Sequence, residues 1–304
     1  MRNYLGIDIG GTAVKIGIVN EVGEVLTHTE ARVDFDAYVT PIIETVIKTV
    51  HDFLKSNTLS LTGIAVSAAG QIDVSKGRVI GTCGNLPNYI GSDFKDRFQE
   101  EFNLPCTVVN DANCMILGEK WIGACQNHSD VVGITLGTGV GGGVLVNSQI
   151  LLGHRGLAGE IGHFILQRKG ALCTCGNQGC FEPLVASSYL IRRVKEMMRD
   201  VDDVDGHWVF NQAKLGNPII LSILDEWTDA IADGIVCLVH IFNPSCVVIG
   251  GGVSAQEELL IEPVRAKVLN RVMPRFADDL KIVAAQLKNH AGLVGAVHYF
   301  IQNN

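Results

Sequence analysis

The sequence predicts an α/β protein built from two related domains, and three observations carry that prediction. The apolar residues of this 304-residue chain gather in short Val/Ile/Leu runs such as "VVGITLG" and "CVVIGGG", the pattern of strands buried on both faces. Strand-like and helix-like segments alternate along the chain. One stretch also recurs. Gly6 to Asn20, "GIDIGGTAVKIGIVN", lies over Gly133 to Asn147, "GITLGTGVGGGVLVN", at an offset of 127 with five of fifteen positions identical. Each copy reads as strand, glycine turn, strand, and each begins a run with a similar order of elements. The expected domains are residues 1–115 and 116–304.

The elements follow in order. "NYLGIDIGG" and "AVKIGIVN" read as two strands joined by a glycine turn, with "EVLTHTEAR" as a third. "YVTPIIETVIKTVHDFLKS" has apolar residues at helical spacing, and "LTGIAVSAAG" is a strand running into a small-residue turn. "SDFKDRFQEEFN" is a charged amphipathic helix, "CTVVNDAN" ends a strand, and "ANCMILGEKWIG" is a helix. After the second hairpin, "NPSCVVIGGGVS" is another strand-to-glycine corner, "QEELL" looks like a helix start, and "AGLVGAVHYFIQ" reads as the last helix.

Composition narrows the function. The net charge is −8 with 18% charged and 47% apolar residues, which argues against nucleic acid as a standing partner. Mean hydropathy is high at +0.25, yet no apolar run approaches the about 18 residues that suggest a membrane span. "MRNYLGIDIGG" has no apolar signal region and an acid by position 8, so a cytoplasmic setting with reduced thiols is expected. Six cysteines, Cys83, Cys106, Cys114, Cys125, Cys237 and Cys246, are expected to be small buried hydrophobes.

Three glycine corners point to phosphate. "DIGGT", Asp8 to Thr12, puts Gly10 and Gly11 between buried strands, with Lys15 following. Such a turn lets backbone N–H groups approach an anion, and Thr12 can donate to a phosphate oxygen. Asp8 at a strand end could hold Mg²⁺, usually through water. "LGTGVGGG" supplies Gly137, Thr138 and Gly139, and "IGGGVS" supplies Gly251 and Gly252. There is no P-loop, and the G-x-G-x-x-G match starting at Gly137 continues as strand rather than opening a helix. Phosphate corners on two duplicated β-β-β-α units suggest the actin and sugar-kinase superfamily, with its ligand cleft between the domains.

Acids and amides then gather. "VVNDANC" places Asn110 and Asp111 at a strand end; Asp111 suits either a helix cap or a general base that takes the proton of an attacking alcohol. Glu160 and His163 in "GEIGH" could face one site, and Glu182 further on brings a second carboxylate there; a pair of carboxylates with Asn110 suits a neutral polyol whose O–H donors need acceptors. "CTCGNQGC", Cys173 to Cys180, has thiol spacings of one and four residues, which suits neither an unstrained bridge nor a redox Cys-x-x-Cys. With His163 ten residues upstream of Cys173, three thiolates and an imidazole fill a closed tetrahedral zinc site.

These segments together resemble the ROK family of bacterial sugar kinases and related repressors. The match covers nearly the whole chain through "DIGGT", "NDAN", "LGTGVGGG", "GEIGH", "CTCGNQGCFE" and "NPSCVVIGGG", in the family's order. The resemblance implies a duplicated actin/hexokinase-like (ribonuclease H-like) fold. It implies Asp111 as catalytic base, and Asn85, Asn110, Asp111, Glu160, His163 and Glu182 as sugar contacts. Asp8, Gly10, Gly11, Thr12, Gly137, Thr138, Gly139, Gly251 and Gly252 would line the ATP site, and His163, Cys173, Cys175 and Cys180 would hold a structural zinc. The resemblance further implies a homodimer and a C-terminal helix, about 288–304, that returns to the first domain. "DIGGT" begins at residue 8, leaving no room ahead of it for the repressors' helix-turn-helix, so the kinase branch is expected over a non-catalytic sugar sensor. Glucose is the first expected substrate, with N-acetylmannosamine, fructose, allose and a β-glucoside as alternatives. Damage to the cysteine loop, as in Cys175→Ser, is expected to weaken sugar binding more than ATP binding.

Overall fold

A computed structural model describes residues 1–34, 36–82, 86–198, 201 and 203–304. The chain forms two compact units. One comprises Met1–Gln126, Ile150–Gly159 and Asn289–Asn304; the other comprises Asn127–Gln149 and Glu160–Lys288.

The first unit opens with β1 (Asn3–Ile9), β2 (Ala13–Asn20), β3 (Val25–Arg32), α1 (Ile42–Lys55) and β4 (Ile64–Ala68). A short hairpin, β5 (Gln71–Asp73) and β6 (Arg78–Gly81), precedes α2 (Phe94–Phe102), β7 (Cys106–Asn110) and α3 (Asp111–Ile122). The sheet order is β3-β2-β1-β4-β7, with β1 antiparallel to β2 and parallel to β4. Burial follows the order. Every residue of the inner strand β4 is buried, while the edge strand β3 alternates half-buried and exposed, as expected where one face meets solvent. Asp93 caps α2 by accepting from the Asp96 N–H, and Asn103 ends it in the left-handed region at φ 51°.

The second unit repeats that plan with β8 (Val131–Leu136), β9 (Val140–Val146) and the short β10 (Gln149–Ile150). A 3-10 turn, Ile161–His163, and the cysteine loop lead to α4 (Glu182–Val185), α5 (Ser187–Met197), α6 (Gly206–Lys214) and α7 (Pro218–Phe242). Then come β11 (Cys246–Gly250), α8 (Glu262–Arg271), α9 (Pro274–Ala277) and β12 (Lys281–Ala284). The sheet order β10-β9-β8-β11-β12 matches the first position by position. β8 is again antiparallel to its successor and parallel to the next long strand. The recurring stretches are therefore the same hairpin, β1–β2 in one unit and β8–β9 in the other. "QEELL" forms a π-helical turn, Glu257–Ile261, that feeds α8. Asn217 caps α7 by accepting from the Ile219 and Ile220 N–H groups, with Pro218 at the first helical position. α7 buries Trp227, whose indole N–H donates to the Val185 carbonyl at 2.9 Å.

The last helix, α10 (Ala291–Asn303), belongs to the first unit. It packs on α3, β1 and β4. A division after residue 115 falls inside α3, which continues unbroken to Ile122. Cys114 and Gly295 lie backbone to backbone where α3 meets α10, so α3 stays with the unit whose core it covers. Among the described residues, no helix is long and apolar enough to cross a membrane. Cys106, Cys114, Cys125 and Cys246 are buried as expected. Cys237 is not: it is exposed on α7, on a turn that faces away from the core. Cys83 lies outside the described residues.

Candidate active site

In the first unit, the strand ends gather one group of candidate residues. β7 ends at Asn110 and α3 begins at Asp111. The cap of α3 is Asn110 rather than the carboxylate: its Oδ1 accepts from the Ala112 and Asn113 N–H groups at 3.0 and 3.2 Å. Its amide donates to the Gly70 carbonyl and to Asp111 Oδ1, both at 2.9 Å. Both amide hydrogens are thus engaged, and Asn110 orients Asp111. The Ala112 N–H also reaches Asp111 Oδ1 at 2.9 Å. The Asp111 side chain is exposed, fixed at the positive end of a helix, where a carboxylate is stabilised. Asn85 lies outside the described residues.

Asp8 closes β1. Ser67, on the neighbouring β4, donates to Asp8 Oδ1 at 2.7 Å, and Lys15 Nζ stands 3.8 Å from Oδ2. Burial pushes the Asp8 carboxyl above the usual carboxylate range, against the lowering effects of Ser67 and Lys15. A Cβ added to Gly292 would lie 2.5 Å from the Asp8 carboxylate, so the first turn of α10 comes directly against this acid. Gly10 and Gly11 are half-buried and Thr12 is exposed beside them.

In the second unit, the turn between β8 and β9 carries Gly137, Thr138 and Gly139. The Val140 N–H donates to Glu182 Oε2 at 3.0 Å, and a Cβ on Gly139 would lie 2.6 Å from that oxygen. Gly251 follows β11 at φ +94°, with the Leu136 carbonyl where a side chain would go. Both demands select glycine. Gly252 faces open space.

The same unit assembles the cysteine cluster. Single donor atoms of His163, Cys173, Cys175 and Cys180 all lie within 4.8 Å of one another. Cys175 Sγ and Cys180 Sγ are 3.7 Å apart, and Cys173 Sγ is 3.5 Å from His163 Nδ1. With Zn–S of about 2.3 Å and Zn–N of about 2.0–2.1 Å, a tetrahedron has S–S edges of about 3.8 Å and S–N edges of about 3.6 Å. The donor set fits a zinc ion. His163 turns its other nitrogen, Nε2, toward Glu160 Oε2 at 3.9 Å, so one ring joins the thiol cluster to this carboxylate. Burial raises the Glu160 carboxyl, with nearby Glu182 adding to the shift and His163 opposing it.

Sequence reasoning overlooked four contributors. Ser67 and Gly292 shape the surroundings of Asp8. Thr174 donates to Glu182 Oε1 at 3.1 Å, and Ser187 donates to the Gly137 carbonyl at 2.6 Å. The spacing of Gly292 and Gly295 in the last helix is the one local signal, since glycines on one helix face mark a close approach.

The ROK family pattern matches residues 4–303. A glucokinase of Thermotoga maritima is 33% identical over 305 residues, covering 96% of this chain and 95% of its own. A beta-glucoside kinase of Listeria innocua is 32% identical over 299 residues, covering 97% and 96%. The crystal structure of a ROK family glucokinase from Streptomyces griseus, in complex with glucose and AMPPNP, superposes with a TM-score of 0.86 at 30% identity, covering 99% of this chain and 100% of that one.

Proposed function

The chain belongs to the ROK family, and from that premise we propose that it is an ATP-dependent sugar kinase. It transfers the γ-phosphoryl group of ATP to a hexose hydroxyl, with O6 of glucose first in line. The observation that carries the reading is Asp111: an exposed carboxylate held in one pose by Asn110 and the first turn of α3. It accepts the proton of the attacking hydroxyl as the new O–P bond forms and the bond to the ADP oxygen breaks. Phosphoryl transfer asks little covalent chemistry of the protein, so positioning and charge dominate the rate.

The remaining residues divide by chemistry. Glu160 and Glu182 offer acceptors suited to sugar hydroxyls, His163 with Nδ1 on the metal offers its Nε2–H as a donor to a hydroxyl oxygen, and Asn110 acts chiefly by orienting Asp111. Asp8, Gly10, Gly11, Thr12 and Lys15 form one phosphate corner; Gly137, Thr138 and Gly139, with Gly251 and Gly252, form the backbone corners of the second unit. Mg²⁺, when bound, neutralises phosphate charge; Asp8 is the residue that would hold it, usually through water. His163, Cys173, Cys175 and Cys180 would hold a structural zinc with no open position for a reacting water. Cytoplasmic residence and a homodimer belong to the same reading. Ile165, Leu172 and Ile241 of the second unit are 63%, 81% and 70% exposed, and sedimentation of the purified protein tests the dimer.

Two measurements test the kinase reading. Asp111→Asn should lower kcat by about 10²–10⁴-fold, the range for removing a general base, while sugar binding persists. Turnover close to wild type would sink the assignment. A coupled ADP-release assay across glucose, N-acetylmannosamine, fructose, allose and a β-glucoside ranks the substrates by kcat/KM. No release with any of them would favour a sugar sensor.

A further inference from the structure

The glycine turn Gly137–Val140 has one internal backbone bond, Gly137 N–H to the Gly139 carbonyl at 3.0 Å. Its shape therefore rests on what grips it from outside. Three grips come from a single stretch of chain. Glu182 Oε2 accepts from the Val140 N–H at 3.0 Å. The Gly137 carbonyl receives both the Ser187 N–H at 2.8 Å and the Ser187 hydroxyl at 2.6 Å. The Ser188 hydroxyl donates to the Thr138 carbonyl at 2.9 Å.

That stretch leaves the cysteine loop directly. Glu182 lies two residues after Cys180, and its other oxygen, Oε1, accepts from Thr174 Oγ1 at 3.1 Å. One carboxylate thus joins the metal loop through one oxygen and the glycine turn through the other. The base of the stretch is firm: Phe181 is fully buried and stacks on Phe164 with ring centroids 5.1 Å apart. Gly234 of α7 leaves the space that the Phe181 ring fills.

We propose that Glu182–Ser188 is a brace through which the cysteine loop sets the shape of the Gly137–Val140 turn, with Thr174 and Ser187 as positioning residues. Loosening the loop then loosens the phosphate end of the nucleotide site as well as the sugar contacts. This adds a direct effect on nucleotide to the expectation that cysteine-loop damage weakens sugar binding more than ATP binding. The consequence for nucleotide rests on the reading of Gly137–Val140 as a phosphate corner; the brace itself does not.

The experiment follows amide hydrogen exchange of the peptide spanning residues 137–140, together with calorimetric ADP and glucose binding. It uses the full-length, metal-loaded protein, the same protein after chelation, and three variants. Ser187→Ala should speed exchange at the turn and weaken ADP binding about 3- to 10-fold, the effect of one lost hydrogen bond. Its glucose affinity should stay within about twofold, as for a residue without a substrate contact. Thr174→Val should speed exchange and weaken ADP binding to a similar degree, with glucose binding weakened as well because Glu182 loses an anchor, and Thr174→Ser should return all three to wild-type values. Chelation should accelerate exchange with Ser187 intact. Unchanged exchange at 137–140 in both Thr174→Val and the chelated protein overturns the brace. Faster exchange with unchanged ADP affinity upholds the brace and removes the phosphate reading of the turn.

Discussion

Replacing Gly295 by alanine tests how α3, which begins at Asp111, depends on α10, whose first turn lies against Asp8. An ideal Cβ at Gly295 lies 1.7 Å from the carbonyl oxygen of Cys114 on α3. Ordinary carbon–oxygen contact is near about 3.4 Å, and both groups are backbone, so no rotamer relieves the overlap. The helices must separate by more than an ångström, roughly the gap at which facing atoms forfeit half of their dispersion well. Alanine's helix propensity offsets about 1 kcal/mol. Overpacking in a dense core costs about 1–3 kcal/mol and occasionally more. We take the upper end for a backbone clash, leaving a net loss of about 2 kcal/mol. For a unit of this size that is a Tm drop of about 4–8 °C. Turnover should fall too, because α3 begins at Asp111 and α10 begins against Asp8. Calorimetry with a kinase assay on Gly295→Ala decides it. Gly206→Ala is the control, since its nearest neighbour would be Val253 at 3.9 Å, and it should stay within about 0.5 kcal/mol. A Gly295→Ala protein melting within a degree of wild type refutes the close helix contact.

Asp8→Asn should raise Tm at neutral pH while lowering kcat, because burial raises the Asp8 carboxyl and the folded protein carries its charge at a cost. A fall in Tm would show that Ser67 and Lys15 outweigh burial. His298 stacks on Trp121 with centroids 4.9 Å apart, and burial followed by Lys120 lowers it to about 4. The neutral ring's contribution is fully present above the unfolded pKa near 6.5 and is lost as pH falls toward about 4. Discounted for partial exposure, that is about 1–2 kcal/mol, so His298→Phe should melt less steeply with acid than wild type between those pH values. Protein purified without chelator should contain about one equivalent of zinc, as a closed four-ligand site binds one ion; less than half an equivalent counts against the site. Gly251→Ala should lower both stability and ATP affinity, since φ +94° and the Leu136 carbonyl each oppose a side chain.

Features written in neighbouring residues were legible without coordinates. The hairpin at Gly6–Asn20 recurs at Gly133–Asn147 because each copy needs the same buried strands and the same tight turn. The cysteine loop was legible because a metal site dictates ligand type and short spacing, and the structure puts His163 at donor distance from Cys173. Asp111 was legible as an acid at a strand end. Strand-end position alone suits a cap or a base equally, and the structure gives the cap to Asn110.

The sequence alone determined the α/β class, the doubled hairpin, the glycine corners and the thiol cluster, because each depends on periodicity or on ligands a few residues apart. Only the tertiary structure decided which neighbours those groups meet. Gly292 comes against Asp8, Ser67 reaches the same acid across the sheet, and Glu182 spans from Thr174 to Val140. Contacts of that kind join residues distant in the chain. They are set by strand register and helix packing, which local pattern does not encode.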